Sequence, residues 1–188
     1  MDFATIFRLD ENLNLDKKTL VFLRWIAIFG QLFSVNLVYF FLDLHFPVML
    51  CHVVIAFGLF TNIFLQFGLK ATLLKDLYSS SFLMYDIIQL SILLFLTGGI
   101  FNPFAILLIV PTIVSSTFLS MGTTIILGLI TSLLLLTISF FHLPLPGEDM
   151  NLLHFPNFYK IGIIISILIG LIFLSYFGIR FSGEKKKT

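Results

Sequence analysis

Residues 91–110 read SILLFLTGGIFNPFAILLIV. One apolar run ends at Gly98 and Gly99, and another begins at Pro103. Glycine reaches the left-handed conformation that closes a helix C-terminus. Asparagine caps a helix N-terminus, and proline suits the first helical position, where its missing N–H has no partner to lose. The stretch therefore predicts a helix, a tight turn, and a second helix folding back beside the first.

The rest of the chain repeats that pattern. Of its 188 residues 59% are hydrophobic and only 11% charged, with a mean hydropathy of +1.08. A soluble domain carries about 25% charged residues. The apolar residues gather into runs of about 20, the length that crosses a hydrocarbon core of about 30 Å. The expected fold is all-α: a polytopic membrane protein with six transmembrane helices in one bundle, near 19–41, 48–67, 78–97, 103–120, 121–141 and 158–179. Around them the reading places a cytoplasmic leader at 1–19, a membrane domain at 20–180 and a cytoplasmic tail at 181–188. The first run is too long for the core of a cleaved signal, so it is read as a retained helix.

Loop charges set the orientation. Lys17, Lys18, Lys70, Lys75, Arg180 and Lys185 to Lys187 fall on one side. Asp43, Glu148 and Asp149 fall on the other, with Lys160 as the one lysine near them. Both termini are then cytoplasmic, and the turn at 98–104 faces the opposite side. A net charge of +1 gives no reason to expect a nucleic-acid partner. The single cysteine, Cys51, forms no internal disulfide and reads as a small buried apolar residue. No spacing suggests a metal site, His142 and His154 included. Most of the 24 phenylalanines are expected to face lipid or neighbouring helices.

Charge inside the membrane costs about 2.5–3.5 kcal/mol on insertion scales. Arg24 and Asp86 are the residues that incur it, at depths differing by about 4–6 Å. They are expected to pair, with snorkelling of Arg24 to the headgroups as the alternative. Asp86, Gln89 and Thr97 share one face of the third helix, and Tyr85 neighbours Gln89 at i+4. That stripe reads either as a polar path toward the turn or as interhelical hydrogen bonding. His52 and Asn62 are read as interhelical glue. Pro111 is expected to kink the fourth helix. At the turn itself, the fourth helix should offer unpaired backbone donors and the positive end of its dipole. Phe101 and Phe104 are expected to bring ring faces beside it, and the glycines to leave room. Such a site suits a flat apolar ligand with carbonyl oxygens, such as a quinone. A ligand-free hairpin with two caps explains the same residues.

Tyr85-Asp86 with Gln89, and Gly98-Gly99-Ile100-Phe101-Asn102-Pro103-Phe104, resemble the sensor region of the RegB/PrrB/ActS family of redox-responsive sensor histidine kinases. That family's motif is Gly-Gly-x-x-Asn-Pro-Phe between the third and fourth membrane helices. Leu23 to Ile28, Gly30-Gln31-Leu32 and His142 to Pro146 also agree with it. The resemblance implies a multi-pass membrane sensor domain in a bacterial inner (cytoplasmic) membrane. It implies ubiquinone bound by Gly98, Gly99, Asn102, Pro103 and Phe104. The position of Phe101 beside them makes it a further candidate, and the polar residues Arg24, Asp86 and Gln89 are candidates for polar coupling. It also implies a homodimer, exchange with the quinone pool, and control of histidine autophosphorylation and phosphotransfer to a response regulator. ATP would bind only in a kinase region beyond these residues. The chain carries no histidine-containing dimerisation helix or ATP-binding domain after the sixth helix, so it is read as the sensor part, without catalytic residues. Two other classes stay open: a small transporter or channel subunit using Arg24, Asp86 and Gln89, and a non-catalytic membrane assembly protein.

Overall fold

The computed structural model describes residues 15–145 and 156–185. The expectations for residues 1–14, for Glu148, Asp149 and His154, and for Lys186 and Lys187 lie outside these. The regular structure of the described chain is helical apart from one short pairing of Leu15–Asp16 (β1) with Leu73–Leu74 (β2). Helix α1 spans Lys17–Asn36 and α2 spans Val48–Ile63, each prolonged by one wide turn, Leu37–Phe41 and Phe64–Gly68. Then come α3 at Asp76–Leu96, α4 at Val110–Phe118, α5 at Met121–Phe140 and α6 at Asn157–Lys185. Among the described residues, five helical segments are long and apolar enough to cross a membrane, and Pro103–Phe118 is a shorter apolar one. Many phenylalanines project outward as expected of lipid-facing positions, among them Phe22, Phe33 and Phe60.

Polar ties at one end set which helices lie side by side. Asp16 caps α1 by accepting from the Lys18 backbone N–H. Lys17 Nζ donates to the carbonyls of Gln66 and Leu69 at 3.1 and 2.7 Å, so a cation meets the C-terminal end of α2. Trp25 Nε1 donates to Gln66 Oε1 nearby. Asp76, at the start of α3, accepts from the Ser120 backbone N–H, from its hydroxyl, and from the Thr123 hydroxyl. One carboxylate thus clasps the α4–α5 turn to α3. At the other end, the Leu143 N–H donates to the Phe95 carbonyl and ties the end of α5 to the end of α3. Between α4 and α5 two hydroxyl pairs, Thr112–Thr131 and Ser115–Thr124, replace bulky packing and let the helices approach.

The boundaries differ from expectation in three places. Helix α1 begins at Lys17, and buried Leu15 belongs to the core through its pairing with Leu74, so the polar leader stops short of 19. Helix α6 runs on to Lys185, past the expected end at 179. The fourth segment is not a kinked α-helix. Pro103–Ile109 winds as a 3₁₀ helix, and α4 starts only at Val110. Pro111 supplies the reason. In an α-helix its N–H would bond the Leu107 carbonyl, and it has none. The Val110 N–H takes that carbonyl instead, one residue early, which is the tighter 3₁₀ pattern. Tighter winding also lengthens the segment. At about 2.0 Å per 3₁₀ residue and about 1.5 Å per α residue, 103–118 extends about 28 Å, against about 24 Å if all α.

Candidate functional site

Gly98 and Gly99 close α3 with φ of +108° and +61°, the left-handed conformations expected of them. Asn102 is the cap expected from its position. Its Oδ1 accepts from the Phe104 N–H at 2.9 Å, and its Nδ2 donates to the Thr97 carbonyl and hydroxyl at 3.1 and 2.8 Å. The Ala105 N–H bonds the Asn102 carbonyl. The amide of Asn102 and the first backbone donors of the fourth segment are therefore engaged within the turn.

Two expectations for the turn fail. The glycines leave no room for a ligand. A Cβ on Gly98 would lie 2.5 Å from Leu145 Cδ1, and one on Gly99 would lie 2.5 Å from the Ile138 carbonyl and 2.6 Å from the His142 ring. The return from α5 fills that space. Nor do the two rings share one face. Phe101 stacks edge-on to His142 at 5.7 Å and lines a cavity of about 640 Å³ toward the start of α6. Phe104 points to the other side, where a cavity of about 270 Å³ lies between the turn, α1 and α3. Asn102 and Pro103 line both. The smaller cavity is walled by Gln31, Ser34, Leu90, Thr97, Phe104 and Leu145 among others, and its lining is overwhelmingly apolar.

A further cavity of about 380 Å³ continues from it along α1. Gln31, Ser34, Leu90 and Phe104 line both spaces, so they form one groove with a shared wall. Its inner end holds Arg24, Asp86 and Gln89. Arg24 Nε bonds Asp86 Oδ1 at 2.9 Å, so the charges judged from depth alone to match do pair. The guanidinium does not snorkel, since Arg24 is 4% exposed. Its Nη2 donates to the Thr61 hydroxyl at 2.8 Å, and its carbon lies 5.2 and 5.5 Å from the Phe82 and Tyr85 ring centres. A paired, ring-sandwiched guanidinium is how a cation is tolerated among apolar helices.

The stripe on α3 does not act as one chain. Asp86 bonds α1 through Arg24, and Gln89 Nε2 bonds Gln31 Oε1 at 3.1 Å. Thr97 turns back to the Leu93 carbonyl of its own helix. Helix α2 approaches at Gly58, where any Cβ would strike the Gln89 amide. Asn62 does reach across, to the Val21 carbonyl at 3.4 Å, but His52 bonds only Val48 in its own helix and joins nothing. Cys51 is fully buried, as its apolar surroundings imply. The sequence reading missed the part of Thr61, Gly58 and Ser34. Thr61 and Gly58 lie on a different helix from the groove's charges, so no spacing could point to them. Ser34 could have been found, because it follows Arg24 and Gln31 at i+10 and i+3 on one face of α1.

Against known proteins, the sequence has a counterpart. The sensor histidine kinase RegB of Cereibacter sphaeroides is 36% identical to the chain over 168 residues, 89% of its length. The chain is a relative of the RegB/PrrB-type sensors. It spans 36% of the length of that RegB, so the likeness concerns a part of the larger protein. No protein-family model matches the chain, and no solved structure does. The likeness to a part of RegB and the apolar helices together support a multi-pass membrane protein.

Proposed function

We propose that this chain is the membrane sensor part of a redox-responsive sensor histidine kinase, and that it binds ubiquinone beside the Gly98–Phe104 turn. Both termini face the cytoplasm in this reading, six segments cross the inner membrane, and two copies work as a dimer. Quinone occupancy biases a cytoplasmic kinase region that follows α6, which autophosphorylates a histidine and passes the phosphoryl group to a response regulator.

The observation that carries the reading is the cavity of about 270 Å³ against Asn102, Pro103 and Phe104. It opens between helices whose outer faces are apolar, so a ligand dissolved in the bilayer can enter from the side. The half-exposed Phe104 ring offers a stacking face for a planar head. Gly98 and Gly99 serve by holding the return loop close and so setting the cavity wall.

The test is binding of decylubiquinone to the purified chain in lipid nanodiscs. Phe104→Ala and Asn102→Ala should each weaken binding about tenfold, the loss of one good stacking or positioning contact. Unchanged affinity in both variants removes the turn from the site.

A further inference from the structure

The inner half of the groove is built differently from the outer half. Helix α1 presents Arg24, Ala27, Gly30, Gln31 and Ser34 to it. Ala27 and Gly30 make a shallow floor, and a Cβ on Gly30 would meet nothing within 4 Å. Above that floor, the polar groups of the site are half used. Gln31 accepts from Gln89 through Oε1, while its Nε2 has no hydrogen-bond partner among the described residues. Asp86 bonds Arg24 through Oδ1, while its Oδ2 has none among them. A free donor on α1 and a free acceptor on α3 therefore line the same polar inner end of the groove, beside the Arg24–Asp86 pair.

Unsatisfied polar groups in hydrocarbon cost several kcal/mol each, so a groove lined by free Gln31 Nε2 and Asp86 Oδ2 beside the buried, unpartnered Arg24 Nη1 calls for a polar occupant. It must be flat, to lie on the floor beneath Phe104, and lipid-soluble, to enter from the bilayer. It must also carry an oxygen that can accept from an amide.

We propose that the ring of a lipid-soluble quinone is held at this inner subsite, with a carbonyl oxygen accepting from Gln31 Nε2–H. Asp86 Oδ2 is then the acceptor that a hydroxyl of the reduced, quinol form meets. The proposal rests on the quinone reading above and moves the ring from the turn to α1. In it Phe104 covers the ring's edge, and the apolar outer cavity takes the start of the tail.

The experiment measures binding of ubiquinone-1 and of ubiquinol-1 to the whole chain in nanodiscs, for the parent and for Gly30→Leu, Gln31→Leu and Phe104→Ala. Circular dichroism melts report folding of each. Gly30→Leu, whose Cβ meets nothing within 4 Å, fills the floor and should abolish measurable binding of both forms. Gln31→Leu should weaken quinone about tenfold and quinol by less, so their affinity ratio shifts. If Gly30→Leu and Gln31→Leu bind as the parent does while Phe104→Ala loses quinone, the inner subsite is overturned and the turn reading stands. If the α1 variants lose binding, the inner subsite stands, with Phe104→Ala losing it too where the ring reaches the turn; if Phe104→Ala then binds as the parent does, the turn reading fails. No quinone binding by the parent overturns both, and leaves the groove as a seam filled by lipid acyl chains. Photolabelling of the parent by an azidoquinone needs no variant. Label within 20–34 supports the inner subsite, and label confined to 98–111 overturns it.

Discussion

The two ends of the groove both hold polar groups and use them in opposite ways. At the outer end, Asn102 and Thr97 spend their hydrogen bonds on the turn itself. At the inner end, Arg24 and Asp86 are buried charges from two helices, and Gln31 and Gln89 bridge the same pair. Local chemistry builds the first end, since its partners are at most five residues apart. Tertiary contact builds the second, with partners 58 and 62 residues apart. Damage should therefore stay local at the turn and spread through the bundle at the ion pair.

The largest effect is expected at the ion pair. Asp86→Leu leaves the Arg24 guanidinium buried without its counter-charge, and loss of one partner of such a pair costs about 3–5 kcal/mol. Unfolding in mixed micelles, followed by circular dichroism, reads the loss. The double variant Arg24→Leu with Asp86→Leu should recover most of it, because two apolar residues need no compensation. If the double variant is as unstable as the two single losses added, the pair does not hold α1 to α3 in the way the geometry indicates.

The glycines come next, and they contrast two glycines with a third. Gly99→Ala needs a non-glycine residue at φ +61° with its Cβ against the Ile138 carbonyl, a backbone atom that cannot swing aside. Strain of that conformation alone costs about 1–2 kcal/mol, and the clash adds to it. Gly98→Ala shares the strain, and its Cβ meets Leu145 Cδ1 at 2.5 Å, which can move, and the Leu145 Cα at 3.0 Å, which must give by a few tenths of an ångström. With its closest backbone atom farther than that of Gly99, it should cost less. Gly30→Ala meets nothing and replaces a helical glycine, so it should stabilise by about 0.5–1 kcal/mol. A ranking in which Gly30→Ala is as harmful as Gly99→Ala breaks the contrast.

The same division explains what could be read from sequence. The hairpin, both caps and Pro103 at the first helical position were legible because they depend on neighbours in the chain. The Arg24–Asp86 pair was legible by a different route, since few charges lie within the membrane runs and their depths match. What was not legible is which atoms fill the space that glycine leaves. Gly98 and Gly99 look like openings in sequence, and Leu145 and His142, more than forty positions on, close them. Phe101 and Phe104 look like a pair, yet the 3₁₀ turn at Gly99–Phe101 and the extended Asn102 between them send the rings to opposite faces. The 3₁₀ winding before Pro111 was also hidden. Proline announces a disturbance without saying whether the helix bends or tightens.

Asn102 offers a smaller and more selective break at the outer end. Asn102→Ala removes the acceptor for the Phe104 N–H and both donations to Thr97, and should cost about 1 kcal/mol, as loss of a helix N-cap usually does. Asn102→Asp keeps the acceptor and loses only the donations, so it should lie between the parent and Asn102→Ala.

Pro111→Ala should have the least effect on stability and the most specific effect on geometry. It restores the N–H that can bond the Leu107 carbonyl, so 103–109 is free to relax from 3₁₀ toward α winding. Relaxation of seven residues shortens the segment by about 3–4 Å. Because the inner end of the segment is anchored through Ser120 and Asp76, the shortening must pull the turn inward and shift Phe104 over the groove. Hydrogen exchange over 105–110, read by mass spectrometry, should be slower in the variant as i→i−4 bonds form. A cysteine pair placed at 104 and 34 should change its cross-linking rate with it. Unchanged exchange and unchanged cross-linking would mean that packing against α1 and α6, rather than the missing proline N–H, imposes the 3₁₀ form.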